Sequence, residues 1–309
     1  MWRPAATLAD RDDAAMTAQA ANRGQGPAGA ARVVTRFAPS PTGRLHLGHA
    51  VSAIRSHDRA RMDGGRFLLR IEDIDPGRSR EEFVDDIVRD LAWLGLDPDG
   101  AVIRQSARSA EYAEALGRLG AAGLLYPCFC TRADIAASAA APHAGPSGAL
   151  YPGTCRRLAP TERKQRLAAG VAHAWRLDMA KAAARAGPLG WADEIAGARI
   201  ADPLAHGDVV LARKDAPASY HLAVTVDDAA QGVTHVVRGV DLLEATDVHR
   251  LIQALLDLPT PIYHHHPLLA DASGRRLAKR DGAPTLAALR ESGADGAQLA
   301  ARLRRGEPY

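Results

Sequence analysis

Residues 36–49 read Arg-Phe-Ala-Pro-Ser-Pro-Thr-Gly-Arg-Leu-His-Leu-Gly-His, and this stretch indicates how the chain begins to fold. The apolar run over residues 32–37 predicts a short buried strand. Pro39, Pro41 and Gly43 then turn the chain, and residues 46 to about 62 have a helical pattern. The sequence therefore predicts a strand, a loop and a helix in succession.

The start of the predicted helix carries the pattern His-x-Gly-His, formed by His46, Gly48 and His49. A helix N-terminus presents unpaired N–H groups and a partial positive charge, and Gly48 lets a ligand approach the backbone closely. Both histidines can donate hydrogen bonds to phosphate oxygens, so ATP is the natural ligand. In isolation, the same pattern also fits two histidines that cap or pack an ordinary helix.

Strand-like and helix-like segments continue to alternate along the chain. Residues 66–71 predict a second strand, followed by a helix with apolar positions at Phe83, Ile87, Leu91 and Leu94. Further strands are predicted over residues 209–211, 220–226 and 234–238, and an amphipathic helix over residues 242–258. This alternation predicts an α/β fold built on a parallel sheet.

Two further motifs follow the first one in order, Arg70-Ile-Glu-Asp73 and Arg238-Gly-Val-Asp-Leu-Leu243. With residues 36–49 they resemble the signature of glutamyl- and glutaminyl-tRNA synthetases, whose catalytic domain is a class I, Rossmann-like fold. That family also has a mobile lysine loop, which Arg276-Leu-Ala-Lys-Arg280 resembles in position. Arg276 and Ala278 replace the usual Lys and Ser there, so the resemblance assigns the ATP role of this loop to Lys279 alone.

The resemblance implies a role for individual side chains. Glu72 would pair with the ammonium group of L-glutamate, and Arg238 or Arg36 would bind its side-chain carboxylate. Taken singly, each of these residues would fit an ordinary surface salt bridge equally well. The implied catalytic residues are His46, His49 and Lys279. ATP, with magnesium, would be bound by His46, Gly48, His49 and Lys279. The implied glutamate pocket consists of Arg36, Phe37, Ala38, Pro39, Ser40, Glu72, Tyr220 and Arg238.

Three cysteines lie in one segment, at Cys128, Cys130 and Cys155. They supply three soft ligands, whereas a structural zinc site generally has four. Unliganded core cysteines are the alternative. The spacing resembles the zinc site of a short glutamyl-tRNA-synthetase-like family in which a tyrosine completes the site, and that implies Tyr151; His143 is chemically the better ligand. The run His264 to His266 predicts no metal site, because successive residues of a strand point to opposite faces.

The composition is that of a globular protein, with 309 residues, 47% hydrophobic side chains and a net charge of +3. No apolar run approaches the roughly 20 residues that cross a bilayer, so we expect no membrane partner and a cytoplasmic location. Three cysteines cannot form a disulfide framework. We also expect a monomer.

The predicted organisation has four parts. Residues 1–32 lack an apolar period and predict a disordered extension. Residues 33–125 predict the first half of the Rossmann-like domain, residues 126–205 a zinc-binding, acceptor-like insertion, and residues 206–309 the second half with the lysine loop and a short helical tail. No large anticodon-binding domain is expected after the lysine loop.

This organisation resembles the glutamyl-queuosine tRNA(Asp) synthetase family. The resemblance implies activation of L-glutamate by ATP without tRNA, followed by transfer to queuosine in the anticodon loop of tRNA(Asp). Two alternatives remain: a truncated conventional synthetase that charges a tRNA 3′ end, and a non-catalytic sensor of glutamate or adenylate. A remote nucleotidyltransferase would share only the His-x-Gly-His pattern.

Overall fold

The computed structural model describes residues 32–131, 133–135, 144–145, 148–269 and 284–307, with the backbone alone for residues 144, 145, 148 and 149. The extension predicted over residues 1–32 lies outside this part of the chain except for Arg32. Lys279 with its loop and His143 also lie outside it. None of the helices in the described ranges combines the length and apolar character that crossing a bilayer requires.

Strands and helices alternate along most of the described chain. In chain order the strands are β1 (Val34–Phe37), β2 (Arg66–Ile71), β3 (Ile103–Arg104), β4 (Leu125–Cys128), β5 (Ala144–Gly145), β6 (Gly148–Ala149), β7 (Ala174–Leu177), β8 (Gly190–Asp193), β9 (Gly197–Ile200), β10 (Val210–Ala212), β11 (His235–Gly239) and β12 (Ile262–His266). The α-helices are α1 (Leu47–Met62), α2 (Glu81–Trp93), α3 (Ser109–Ala121), α4 (Pro160–Ala168), α5 (Met179–Ala186), α6 (Tyr220–Ala230), α7 (Ala245–Leu255), α8 (Leu286–Glu291) and α9 (Gly296–Arg304).

The central strands are parallel, as predicted. β1 pairs with β2 and β2 with β3, while β11 pairs with β12 and β12 with β8. The strand β9 is antiparallel to β8, and β4, β7 and β10 form a separate antiparallel sheet. The fold is therefore α/β with mixed sheets rather than a purely parallel one.

The two parallel groups meet at β1 and β11. The backbone N–H of Thr234 donates to the carbonyl of Val34 at 2.9 Å, and the N–H of Val34 donates to Oγ1 of Thr234 at 2.8 Å. From β1 the chain continues to β2 on one side, and it later returns to β11 on the other side. Ligands of open α/β sheets bind at such a reversal of strand order, beyond the carboxyl ends of the strands.

One prediction of secondary structure is wrong. Residues 220–226 were expected to form a strand, but they begin the helix α6. A continuous apolar run cannot be assigned to a strand or a helix by periodicity alone. In the fold, α6 packs against α3 and α7, and it buries Leu222, Ala223, Val224 and Thr225. Burial on several sides explains the absence of an amphipathic pattern, and tertiary packing overrides the strand preference of Val and Thr.

The described residues form several apolar cores, of which two are the largest. The first joins α1, α2 and β2 to the C-terminal helices, and it includes Ile54, Leu69, Leu91, Leu286 and Leu299. The second lies among α3, α5, α6 and α7, and it includes Leu119, Met179, Leu222 and Ile252. The amphipathic helix predicted over residues 242–258 is present as α7, preceded by a 3-10 turn at Val240–Leu242.

Candidate active site

A cavity of about 500 Å³ opens at the carboxyl ends of β1 and β11, beside the N-terminus of α1. This is the position that the reversal of strand order favours. Most of the residues predicted to bind ATP or glutamate line this cavity. They are Arg36, Phe37, Ala38, Pro39, Ser40, His46, Gly48, His49, Glu72, Tyr220 and Arg238. Of the same predicted set, Lys279 is outside the described residues.

The two histidines of the first motif cap the helix α1. His46 is the N-cap residue, and its Nδ1 accepts a hydrogen bond from the backbone N–H of Gly48 at 3.1 Å. The Nδ1 of His49 accepts from the backbone N–H of His46 at 3.2 Å. Because Nδ1 is the acceptor in both rings, each neutral ring carries its proton on Nε2, an atom that can donate to a phosphate oxygen. Capping and phosphate binding are therefore compatible in this motif.

Gly48 is required by the shape of that cap. A Cβ atom at this position would lie 3.0 Å from Cε1 and 3.1 Å from Nδ1 of His46. A side chain there would require the imidazole that caps the first turn of α1 to shift by a few tenths of an ångström. The glycine of the motif serves the placement of His46 as well as the approach of a ligand.

A buried network of charges forms the floor of the cavity. Asp228 accepts from Nε of Arg36 at 2.9 Å and from Nη2 at 3.3 Å. It also accepts from Nη1 of Arg70 at 2.8 Å, and Nη2 of Arg70 donates to Glu72 at 3.3 Å. Arg36 is therefore neutralised by a carboxylate of the protein itself.

Burial and these guanidinium groups act in opposite directions on the two acids. Burial raises the pKa of Glu72, although Arg70 and Arg36 oppose the shift. Burial alone would also raise the pKa of Asp228, but Arg36 and Arg70 outweigh it and lower that pKa. Glu72 is the acid of this network that also lines the cavity. Its carboxylate would be stabilised by a cationic group of a ligand.

Arg238 is also buried, but its surroundings are different. Its Nη1 donates to the hydroxyl of Tyr220 at 3.1 Å, and Nη2 donates to Oγ1 of Thr246 at 2.8 Å. Among the described residues, no carboxylate oxygen lies within 4.0 Å of its guanidinium. Of the two arginines proposed from the sequence for the side-chain carboxylate, the geometry favours Arg238 over Arg36.

The sequence interpretation missed several residues of this site. Asp228 is the main omission, because it lies just beyond the segment interpreted as a strand, residues 220–226, whereas the helix α6 extends through it. Two adjacent acids, Asp227 and Asp228, at the end of an apolar run were the available signal. His249 and His265, which contact Arg238, carry no local pattern that marks them.

The three cysteines come together at the end of β4. Their Sγ atoms all lie within 4.8 Å of one another, and those of Cys130 and Cys155 are 3.5 Å apart. The hydroxyl of Tyr151 is 3.4 Å from Sγ of Cys128 and 3.6 Å from Sγ of Cys130. Ligand sulfurs about 2.3 Å from a tetrahedral zinc ion lie about 3.8 Å apart, so this group fits a metal ion.

The surroundings of the thiols shift the pKa values of Cys130 and Cys155 in opposite directions. Burial raises the pKa of Cys130 to about 11. It would also raise the pKa of Cys155, but hydrogen bonds from Tyr151 and the Phe129 backbone N–H lower that pKa. A metal ion bound by these thiols would require them as thiolates, so its binding would release protons.

The three consecutive histidines of β12 have separate partners, as predicted. Nδ1 of His264 lies 2.8 Å from Glu194, and Nδ1 of His265 lies 2.6 Å from Asp193. Nε2 of His266 lies 2.9 Å from the hydroxyl of Ser52. They do not converge on one point.

Known proteins share both the sequence and the fold. The family described as tRNA synthetases class I (E and Q), catalytic domain, matches residues 32–306. A glutamyl-Q tRNA(Asp) synthetase of Rhodobacter capsulatus is 50% identical over 276 residues, which is 86% of this chain and 98% of the relative. That of Symbiobacterium thermophilum is 47% identical over 84% of this chain and 81% of its own length.

A solved structure of a glutamate tRNA ligase has a similar fold. The glutamate tRNA ligase of Elizabethkingia meningosepticum, crystallised in complex with its amino acid, superposes with a TM-score of 0.70 at 29% identity. The alignment covers 82% of this chain and 53% of that one, so the chain spans about half the length of this ligase. The chain belongs to the class I tRNA synthetase (E and Q) catalytic-domain family and, within it, to the glutamyl-Q tRNA(Asp) synthetases.

Proposed function

We propose that the protein activates L-glutamate with ATP, without tRNA, and transfers the glutamyl group to queuosine in the anticodon of tRNA(Asp). One observation carries the proposal. A helix N-terminus with two histidines, a buried acid and a buried cation that has no carboxylate partner among the described residues line the same cavity. The names of the relatives from R. capsulatus and S. thermophilum, glutamyl-Q tRNA(Asp) synthetases, support the same activity and acceptor.

In the first step, a carboxylate oxygen of glutamate attacks the α-phosphorus of ATP. The bond to pyrophosphate breaks, and glutamyl-adenylate and pyrophosphate are formed. No protein nucleophile is needed, so positioning and charge neutralisation supply the catalysis. His46 and His49 would donate from Nε2 to the triphosphate, on which negative charge develops.

The cavity also matches the charges of the amino acid. Glu72 faces the ammonium group of glutamate, and Arg238 faces its side-chain carboxylate. An amide group in that position would leave the charge of Arg238 without an anion. We therefore propose L-glutamate rather than L-glutamine as the substrate.

Lys279 is proposed as a further ATP residue from the position of its loop in the sequence. Magnesium bound with ATP would neutralise part of the triphosphate charge. The departures at Arg276 and Ala278 leave one lysine to supply the contacts of that loop.

In the second step, a hydroxyl oxygen of the acceptor attacks the acyl carbon, AMP leaves, and an ester forms. A second cavity of about 240 Å³ adjoins the first and shares with it Ser40, Thr42, Glu72 and Tyr220. It offers the acceptor hydroxyl a route to the activated carbonyl. The cyclopentenediol of queuosine supplies such a hydroxyl.

We further propose that Cys128, Cys130, Cys155 and Tyr151 hold one structural zinc ion. The ion would fix the segment after β4 against the turn Cys155–Arg157, within the insertion proposed over residues 126–205. The proposed halves of the catalytic domain, residues 33–125 and 206–309, would flank this insertion.

Glutamate-dependent exchange of pyrophosphate into ATP tests the proposal directly. We expect exchange by the unmodified protein without tRNA, and a loss of about 100- to 1000-fold in His49→Ala, because one donor to the developing charge is removed. His57→Ala is the matched control. It lies on the same helix, where it pairs with Asp58, and it should retain exchange.

A second version of the assay uses L-glutamine in place of L-glutamate, and we expect little pyrophosphate exchange with it. Absence of exchange by the unmodified protein with glutamate would support the non-catalytic sensor instead. Unchanged exchange in His49→Ala would contradict the assignment of this residue.

A further inference from the structure

Every N–H of Arg238 already has an acceptor in the protein. The guanidinium has five such donors. The five acceptors are His265 Nε2 at 3.0 Å, Tyr220 Oη at 3.1 Å, His249 Nδ1 at 3.3 Å, the carbonyl of Leu242 at 3.1 Å and Thr246 Oγ1 at 2.8 Å. None of these acceptor groups carries a negative charge. The side chain is therefore fixed in place without being neutralised.

The hydrogen bonds of Arg238 determine the tautomers of two histidines. A guanidinium can only donate, so Nε2 of His265 and Nδ1 of His249 must be unprotonated. His265 then carries its proton on Nδ1, which donates to Oδ2 of Asp193 at 2.6 Å. His249 carries its proton on Nε2, which donates to Nδ1 of His221 at 3.1 Å.

The other two buried arginines of the site differ from Arg238 because they have a carboxylate partner. Arg36 and Arg70 both lie against the carboxylate of Asp228. Asp193 is the acid nearest to Arg238 along its hydrogen bonds, and the ring of His265 stands between them. Among the described residues, Arg36 and Arg70 are thus neutralised by a carboxylate, whereas Arg238 is only hydrogen-bonded.

We infer that His249 and His265 are positioning residues of the amino-acid site. As neutral acceptors they fix Arg238 without cancelling its charge, and they thereby set the preference for a ligand carboxylate over a carboxamide. The inference rests on the proposed function, since it concerns how that substrate is selected.

A carboxylate in place of either imidazole would hold Arg238 equally well. It would also neutralise the guanidinium, so the ligand would gain little from a negative charge. An aliphatic side chain would instead leave an N–H of Arg238 buried without an acceptor, which is costly. Neutral acceptors satisfy the N–H groups of Arg238 and also leave its positive charge uncancelled.

The pair His249→Asn and His249→Asp separates positioning from charge. The two side chains have the same shape, and each places an oxygen near the position of Nδ1. We expect His249→Asn to keep the KM for glutamate within about 3-fold, and His249→Asp to raise it roughly 10- to 100-fold. The KM for ATP should stay unchanged in both, and His249→Asp should lose much of the preference for glutamate over glutamine.

A residue that only fills space would give the same KM in both variants, and that result would overturn the inference. If the unmodified protein showed no exchange with glutamate, the proposed function would fail and the inference with it. Exchange by the unmodified protein with equal KM values for the two variants would overturn the inference alone.

A measurement on the unmodified chain removes the dependence on variants. The ¹⁵N chemical shifts of the histidine rings report which nitrogen carries the proton. At neutral pH we expect the Nδ1–H tautomer for His265 and the Nε2–H tautomer for His249. The opposite tautomer, or a doubly protonated ring, at either position would overturn the inference.

Discussion

At the scale of single residues, burial decides the charge of the histidines around Arg238. Desolvation lowers the pKa of His221 to about 4, with smaller contributions from His206 and Arg238. Desolvation, followed by Arg238, also lowers the pKa of His265 to about 4, although Asp193 opposes the shift. Desolvation lowers the pKa of His249 as well. These rings are neutral at physiological pH.

Their neutrality makes stability depend on pH in a definite direction. The unfolded chain binds a proton at His221 and at His265 near pH 6.5, whereas the folded chain does so only near pH 4. Between these values the unfolded state holds more protons, so the free energy of unfolding falls as the pH falls. Each ring contributes a slope of about 1.4 kcal/mol per pH unit.

Comparing the unmodified protein with a His221 variant separates the contribution of this ring to the pH dependence of stability from that of the acidic residues. Between pH 6 and pH 4.5, we expect the free energy of unfolding of His221→Gln to fall less steeply with falling pH than that of the unmodified protein. The difference in slope should correspond to about one proton. Urea unfolding of the unmodified protein and the variant across that range measures the difference. Equal slopes would show that His221 titrates alike in the folded and unfolded chains.

At the scale of elements, the end of β4 and the turn Cys155–Arg157 depend on each other through the cysteines. The sequence separates Cys128 from Cys155 widely, yet their thiols lie within 4.8 Å of one another. A bound metal ion would link the two elements, and its binding free energy would add to the stability of the fold.

Metal analysis of the purified, unstripped protein tests this link. We expect one equivalent of zinc in the unmodified protein and little or none in Cys128→Ser, because one of the proposed ligands is removed. A chelator should lower the melting temperature of the unmodified protein but not that of the variant. Unstripped protein without zinc would contradict the proposed site.

The helix α6 shows how an element can carry two functions. Its first residue, Tyr220, contacts Arg238 at the cavity, and Asp228 near its other end neutralises Arg36 and Arg70. A strand over residues 220–226 would not have explained both contacts. The helix is therefore a structural element of the amino-acid site as well as of the core.

At the scale of the whole molecule, the site lies where the two halves of the sheet meet. β1 and β2 supply Arg36 and Arg70, with Glu72 just beyond β2, while β11 supplies Arg238. The cavity therefore depends on the packing of strands that are about 200 residues apart in the chain.

The acceptor is the property of the whole enzyme that most needs a test. We expect radiolabelled glutamate to be transferred to tRNA(Asp) that contains queuosine, and not to the same tRNA without it. Removal of the 3′-terminal adenosine should leave transfer unchanged, because the proposed acceptor lies in the anticodon loop. A conventional synthetase would show the reverse dependence, requiring the 3′ adenosine and ignoring queuosine.

The sequence by itself determined the local features of this protein. The first strand, the loop and the capped helix with His46 and His49 follow from short-range rules on prolines, glycine and periodicity, and the structure confirms them. The motif residues that line the cavity, including Glu72, Tyr220 and Arg238, were named from the resemblance to a known family. Local rules were sufficient for the strand, the loop and the helix because residues 34–62 follow one another in the sequence.

Only the tertiary structure decided how the charges are paired. Asp228 neutralises Arg36 across 192 positions of sequence, and His265 fixes Arg238 across 27. No local pattern encodes such partners, because burial and strand order bring them together. The same desolvation that makes these contacts strong also keeps the histidines neutral, and it thereby leaves Arg238 as a fixed positive charge in the cavity.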